Sequence, residues 1–165
     1  VAVSMSTAEC LAEQSPSLLE RTLKRLLGTR GLTSRGLMSP SALEVHELIE
    51  QGLSSEDVIR FIESVELLHD RKLVSQVIGM SERTLYRRVK EPLPLSAEQS
   101  GRAWRFAELL TRAEDVLGDS DEAQRWMLTP AMALEGRRPI DLISTQVGHE
   151  LVDDLLTRMD YGVYS

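Results

Sequence analysis

The chain has 165 residues, a formal net charge of −7 and 42% hydrophobic residues, enough apolar material for one domain or two small packed ones. Its single cysteine, Cys10, excludes a disulfide framework and a cysteine-rich metal site, and it suits a reducing cytoplasm. The sequence has neither a signal-peptide pattern nor an apolar run near the roughly 20 residues of a membrane span. We therefore expect a cytoplasmic protein without membrane contact.

Helical periodicity runs along the chain without a convincing alternating strand, which predicts an all-α fold. A first helix over 17–28 carries a leucine stripe and stops at its final glycine. A second helix starts at Ser39 and Pro40, because a cap followed by a first-turn proline is typical of a helix start. Its apolar stripe comprises Leu43, either Val45 or His46, Leu48 and Ile49. Ser54 or Ser55 caps a third helix, where acidic residues in the first turn favour the positive end of the helix dipole.

Two short helices follow, over 70–78 and 82–90, with a glycine between them. Gly79 can adopt the left-handed conformation that a tight corner requires, and Ser81 is placed to cap the second helix. The apolar residues around the corner have the spacing that lets two helices cross over one shared centre, as in a helix-turn-helix. These residues are Val74, Ile78, Met80, Leu85 and Val89.

The second short helix lies within "GMSERTLYRRVK" and concentrates positive charge in an acidic chain. Leu85 and Val89 mark its inward face, so Arg83, Arg87 and Lys90 fall on the opposite side. Such a face can enter the major groove of DNA, where arginine contacts guanine edges or phosphates. The simpler alternative is a solvated basic surface, which the glycine corner, the cap and the matched apolar positions disfavour. The predicted DNA-binding residues are Ser81, Arg83, Thr84, Tyr86, Arg87, Arg88 and Lys90.

A long helix opens with a capping box from Ser96 to Gln99 and runs to about Leu117. Shorter helices are predicted over 121–127, around "AMAL" and over 139–143, followed by a final helix over 146–160. We therefore predict a helical bundle containing a helix-turn-helix, followed by a small C-terminal helical module. The predicted division is an N-terminal extension with one helix and a basic connector over 1–39, a helix-turn-helix domain over 40–118 and a C-terminal module over 119–165.

Charge is unevenly distributed along the chain. Five basic residues and no acid lie from Arg21 to Arg35, and this stretch either contacts the DNA backbone or forms a soluble connector. From Asp141 to Asp160, five acids stand against Arg158 alone. The sequence therefore predicts a molecule with two surfaces of opposite charge.

The chain offers few residues for catalysis or metal binding. Its three histidines, His46, His69 and His149, are far apart in sequence. His69 and Asp70 resemble a metal-binding dyad, but no further histidine lies at a useful spacing. We therefore expect no metal, no cofactor and no catalytic site. His149, near the start of the last helix, is expected to be exposed or to face a partner.

Three stretches taken together resemble the antitoxins that join an Xre-like helix-turn-helix to a ParS/MbcA-type toxin-binding domain. They are "GMSERTLYRRVK", "SGRAWRFAELLTRAEDVLGD" and the C-terminal third, which contains "GRRPIDLI" and "DYGVY". The resemblance covers about residues 40–165 and leaves the first forty residues without a role. It implies a type II antitoxin with no enzymatic activity, whose partners are operator DNA and a RES-domain toxin that consumes NAD.

The resemblance also implies how the two partners are bound. The C-terminal domain covers the active-site cleft of the toxin, and the helix-turn-helix represses the operon that the two proteins share. The antitoxin acts as a homodimer or within a higher hetero-oligomer with the toxin. An acidic last helix suits a basic nucleotide-binding cleft, and an aromatic tail suits an interface. The predicted toxin-binding residues are Glu150, Asp154, Arg158, Asp160, Tyr161, Gly162, Val163, Tyr164 and Ser165.

Two other hypotheses stay open at this point. One is a DNA-binding transcriptional regulator whose C-terminal module serves only dimerisation. The other is a small hydrolase that uses His69 and Asp70. Protection of cells against the product of a neighbouring toxin gene distinguishes the antitoxin from the regulator, and metal analysis of the purified chain tests the hydrolase.

Overall fold

The computed structural model describes residues 15–91 and 93–162, and these residues form eight α-helices, three short 3-10 helices and no β-strand. The predicted all-α fold is confirmed. The α-helices are α1 (Leu18–Ser34), α2 (Ala42–Gln51), α3 (Ser55–Ser64), α4 (Arg71–Ile78), α5 (Glu82–Lys90), α6 (Ala97–Leu117), α7 (Ser120–Met127) and α8 (Gln146–Asp160). The 3-10 helices are Glu66–His69, Met132–Leu134 and Pro139–Asp141. The predictions that concern Cys10, Val163, Tyr164 and Ser165 lie outside the described residues.

Serine caps fix the starts of three helices where the sequence predicts them. The side chains of Ser54, Ser81 and Ser96 each accept a hydrogen bond from the backbone N–H three residues later. Gln99 returns a bond to the backbone of Ser96, which completes the predicted capping box of α6. Each cap satisfies a backbone donor that the helix itself leaves unpaired.

The first helix does not end at Gly28 as predicted. Gly28 has φ 67° and ψ 168°, which kinks the chain, but helical structure resumes and continues to Ser34. The helical residues after Gly28 include Leu32, which is buried in the core. The predicted basic connector is therefore largely helical.

The second helix starts two residues later than predicted. Ser41, and not Ser39, is its N-cap, and it forms a capping box with Glu44. The Ser39 hydroxyl instead donates to Glu20 of α1 at 3.3 Å. Val45 is buried while Leu43 is 65% exposed, so including Leu43 in the apolar stripe was wrong. Positions i and i+2 of a helix, such as 43 and 45, lie about 160° apart around its axis. Only one of them can face the core.

The core is arranged around α6, which packs against α1, α2, α4, α7 and α8. The helical spacing of its apolar residues predicts one inward face, and Ala103, Phe106, Ala107, Leu110 and Ala113 are buried there, whereas Leu117, predicted on the same face, is half-buried. Phe106 meets Phe61 of α3 edge to face, with ring centroids 6.0 Å apart. Among the described helices, none combines the length and apolar character that a membrane crossing requires.

Ion pairs join α1 to α6 beside the core. Arg21 forms two bonds with the Asp115 carboxylate, at 2.5 and 2.6 Å, and these bonds lower the pKa of Asp115 below its usual value. Arg25 pairs with Glu114 and also donates from Nε to the Thr111 hydroxyl at 3.1 Å. Neither predicted role for this basic stretch describes these arginines, because their charges are used within the fold.

Candidate functional site

The corner between α4 and α5 has the geometry that the sequence predicts. Gly79 adopts the left-handed conformation, with φ 79° and ψ 21°, and it ends α4. A Cβ atom at this position would lie 2.6 Å from Nη1 of Arg102, an α6 side chain that donates to the last carbonyls of α4. Glycine is therefore favoured here by its backbone angle, and a larger residue would also displace the Arg102 guanidinium. Val74, Ile78, Met80 and Leu85 are buried beneath the corner, and Val89 is half-buried.

The outward face of α5 is cationic. Arg83, Arg87 and Lys90 are exposed and, together with Thr84 and Tyr86, line a shallow cleft of about 480 Å³. The side chains of the three basic residues therefore extend from a helix whose opposite face is fixed in the core. A negatively charged duplex fits this arrangement.

The remaining predicted DNA-binding residues make contacts within the chain. Ser81 and Thr84 share a hydrogen bond of 2.8 Å between their hydroxyls at the start of α5. The Tyr86 hydroxyl donates to Glu63 of α3 at 3.2 Å, and Arg88 is half-buried with Nη1 3.5 Å from the Pro94 carbonyl. Burial and the Glu63 contact raise the pKa of Tyr86, which therefore stays protonated and able to donate. All four side chains are therefore hydrogen-bonded within the chain, and the Ser81 cap fixes the start of α5.

A second exposed surface lies on α8. Residues 147, 151, 154, 158 and 161 recur at steps of three and four, so they share one helical face. Val147 is 68% exposed, Leu151 50% and Tyr161 79%, and Met132 of the adjacent 3-10 helix is 92% exposed. Glu150, Asp154, Arg158 and Asp160 are also exposed on or beside this face. We call this set of exposed residues, with Met132, the α8 face.

The apolar half of the α8 face was not predicted from the sequence. Val147, Leu151 and Met132 were not among the predicted toxin-binding residues, although large apolar side chains are costly to leave in water. The available signal was the spacing of Val147, Leu151 and Arg158 along the last helix. Of the predicted residues, Glu150, Asp154, Arg158, Asp160, Tyr161 and Gly162 lie at the exposed side or the end of α8.

The opposite side of α8 is held against α6. Val152, Leu155 and Leu156 are buried there, and Arg112 of α6 pairs with Asp153 and donates to the Thr157 hydroxyl at 2.9 Å. Asp153 therefore belongs to the internal contact and not to the exposed face. These contacts fix the rotation of α8 and, with it, the residues that α8 presents outward.

His149 is buried, and the expectation that it is exposed or faces a partner was wrong. Its side chain lies on the inward stripe of α8 with Val152 and Leu156, and only 8% of the residue is exposed. Burial lowers the pKa of His149 below 6.5, an effect that Glu108 and Asp153 oppose. His149 is therefore part of the packing between α8 and α6.

The His69–Asp70 pair has contacts that account for both side chains. His69 bonds through Nε2 to the Glu63 carbonyl at 3.0 Å, and Asp70 caps α4 by accepting from the Lys72 N–H at 2.9 Å. Residues 15–91 and 93–162 contain no group of three or more side chains placed to hold a metal ion. Both side chains therefore have structural roles at the ends of helices.

The corner, the cationic helix and the second surface define a class: a helix-turn-helix DNA-binding protein with an attached helical module for a protein partner. A family model for the antitoxin Xre-like helix-turn-helix domain matches residues 44–108. A second model, for the antitoxin Xre/MbcA/ParS C-terminal toxin-binding domain, matches residues 112–162. The two matches meet inside α6.

Curated relatives agree with the two family models. The chain is 26% identical to the "Prs ADP-ribosylating antitoxin" of a Sphingobium species over 84% of its own length and 91% of the relative. It is 29% identical to the antitoxin Xre of Pseudomonas putida over 74% of each chain. The antitoxin Xre of Yersinia enterocolitica is 34% identical over 56% of this chain and 63% of the relative.

This chain belongs to the Xre/MbcA/ParS antitoxin family. It is a type II antitoxin that combines a DNA-binding helix-turn-helix with a toxin-binding C-terminal domain. The hydrolase and the regulator without a toxin partner are therefore set aside.

Proposed function

We propose that this antitoxin neutralises a RES-domain toxin that degrades NAD, by covering the toxin's active site with the α8 face and the residues that follow it. We also propose that α5 binds the operator of the shared operon and represses it. The exposed, apolar and acidic α8 face is the observation that carries the first proposal.

The composition of the α8 face suits a cleft that binds NAD. Such a cleft must hold a pyrophosphate, so cationic groups line it, and the acids of the α8 face can pair with those groups. Val147 and Leu151 supply an apolar centre, while Glu150 and Asp154 lie beside it. An apolar centre with a charged rim is the usual arrangement of a protein interface. Tyr161, at the end of α8, can fill space that the dinucleotide would occupy.

The name of one relative supports an NAD-dependent partner. The Sphingobium protein is named an ADP-ribosylating antitoxin, and ADP-ribose is a part of NAD. A toxin that transfers ADP-ribose and a toxin that degrades NAD both need a cleft for the same dinucleotide. Blocking that cleft would therefore inhibit a toxin of either kind.

Co-expression with the neighbouring toxin tests the proposal. Leu151→Asp places a charge at the centre of the α8 face, and we expect it to abolish protection and restore NAD loss in the cells. Leu43→Asp is the matched control, because Leu43 is also an exposed helical leucine, on α2, and is 65% exposed against 50% for Leu151. Protection that survives Leu151→Asp, and also survives deletion of residues 161–165, contradicts the proposed site.

An operator-binding assay shows whether a variant of the α8 face affects DNA binding as well. We expect Leu151→Asp to bind operator DNA as the unchanged chain does, because Leu151 and the cationic face of α5 lie on different elements. A gel-shift titration with the promoter region of the operon measures this. Loss of both activities in Leu151→Asp would indicate misfolding, which the far-UV circular dichroism spectrum of the variant checks.

A further inference from the structure

An ion pair joins the first residues of the two helices of the helix-turn-helix. Nε of Arg71, at the start of α4, lies 3.2 Å from Oε2 of Glu82, at the start of α5. The Arg71 side chain is 88% exposed, and the Glu82 side chain is 23% exposed. Both residues line an open cleft of about 560 Å³ with Ser81, Arg83 and Tyr86.

The carboxylate of Glu82 is unexpected in a helix that approaches DNA, because DNA is negatively charged. Glu82 is the first residue of α5, and the N-terminal residues of a recognition helix are the ones that reach base edges. An unpaired carboxylate there would repel the phosphates on both sides of the groove. The positive charge of Arg71 offsets the negative charge of Glu82. The Arg71 side chain is exposed, and its other N–H groups can contact a phosphate.

We propose that Glu82, positioned by Arg71, accepts a hydrogen bond from the exocyclic amine of a cytosine in the operator. This inference rests on the proposed role of α5 as the helix that reads the operator. One Glu82 oxygen is ion-paired with Arg71, and a carboxylate has acceptor capacity for donors on a base edge. In the major groove, the donors on base edges are N4 of cytosine and N6 of adenine.

The chemistry of the carboxylate selects cytosine over adenine. Adenine presents the acceptor N7 next to its N6 amine, so an ionised carboxylate, which has no donor, is repelled by N7. Cytosine presents no acceptor beside N4 in the major groove. Glu82 therefore specifies the cytosine of one C·G pair. Arg71 acts through Glu82 and is a positioning residue for this contact.

Selection of binding sites from a pool of randomised duplexes tests the inference with the full-length chain. We expect one position in each half-site at which cytosine is preferred by on the order of 5- to 100-fold. Glu82→Gln should move that preference to adenine, because an amide can donate to N7 while it accepts from N6. Arg71→Ala should weaken the cytosine preference at the same position, and Arg71→Lys should restore part of it.

Glu122→Gln is the matched control. Glu122 is also a first-turn carboxylate with an arginine partner, Arg125 at 2.5 Å, but it lies in α7. We expect its selected sequence to equal that of the unchanged chain. Glu82→Gln with the same preferred base at every position overturns the inference and leaves operator binding by α5 standing. If the unchanged chain selects no sequence at all, both the inference and the proposed operator binding are wrong.

Discussion

Arg87 is exposed on α5, one turn after Arg83 and on the side of the helix opposite the buried Leu85. Its position is fixed because the opposite face of the same helix is packed in the core. A side chain with this placement is able to reach a base edge, while the charge of Lys90 suits the phosphates. The two kinds of contact have different consequences for binding.

Replacing Arg87 by alanine distinguishes base contact from phosphate contact. If Arg87 contacts a base, Arg87→Ala weakens operator binding by roughly 1–3 kcal/mol and relaxes preference at one base pair. A phosphate contact instead weakens all sequences alike and lowers the salt dependence. Fluorescence anisotropy with operator and unrelated duplexes at several salt concentrations measures both. Arg125→Ala, at an exposed arginine of α7, should leave binding unchanged.

His149 gives a prediction about stability and pH. Because burial lowers its pKa in the folded chain, the unfolded chain binds the proton first as the pH falls past about 6.5. The free energy of unfolding should therefore be highest above that pH and should decrease as the pH falls towards the folded pKa. Urea denaturation between pH 7.5 and 5 measures this decrease.

His149→Gln removes the titrating group and should flatten that pH dependence. His46→Gln, at an exposed histidine of α2, should keep it. A decrease of the same size in His149→Gln as in the unchanged chain would assign the effect to other groups. The carboxylates with lowered pKa, Asp115 and Asp141, titrate in a more acidic range and do not interfere.

At the scale of the helices, local signals predicted starts better than ends or partners. Serine caps placed the starts of α3, α5 and α6, since a cap is a contact between residues three apart in sequence. The sequence could not place the end of α1, because the turns after Gly28 are accompanied by burial of Leu32 in the tertiary fold. The pairing of Arg25 with Glu114 likewise joins residues 89 positions apart.

The same distinction applies to the candidate site. The outward direction of Arg83 and Arg87 followed from the helical period alone. The burial of His149 could have been predicted from its spacing to Val152 and Leu156, but the pairing of Glu82 with Arg71 required the angle between α4 and α5. Periodicity gives the face of a helix, and only tertiary structure gives what that face meets.

The contact between α1 and α6 predicts unequal effects for two neighbouring arginines. Arg25→Ala leaves Glu114, whose side chain is 22% exposed, without its partner, and should reduce the free energy of unfolding by about 1–3 kcal/mol. Arg21→Ala removes a pair that is 36% and 46% exposed, and it should cost about 0–1 kcal/mol. Urea denaturation of both variants measures the difference. Equal losses would contradict the role assigned to burial.

For the whole molecule, the net charge of −7 conceals a cationic surface on α5 and an apolar and acidic surface on α8. Arg21 and Arg25 of α1 pair with acids of α6, and Arg35, which follows α1, pairs with Asp57 of α3. Arg83, Arg87 and Lys90 of α5 are exposed. DNA binding by an acidic protein therefore depends on a local patch and not on total charge. One α5 helix covers only a few base pairs, which favours binding by two chains.

A homodimer on the operator predicts the spacing of the half-sites. Two recognition helices must lie about 34–36 Å apart to enter successive major grooves on one side of the duplex. Inserting about five base pairs between the half-sites should abolish tight binding, whereas inserting about ten should restore part of it. Gel-shift titrations measure this. A complex with one chain per operator, by light scattering, would contradict the dimer.

The central position of α6 has a consequence for how the cell could switch this antitoxin off. The same helix contacts the end of α4 through Arg102 and contacts α8 through Arg112, so the helix-turn-helix corner and the α8 face both depend on α6. Under the proposed function, a single proteolytic cut in α6 would release the toxin and derepress the operon together. Destruction of the inhibitor and resynthesis of the pair would begin at the same moment.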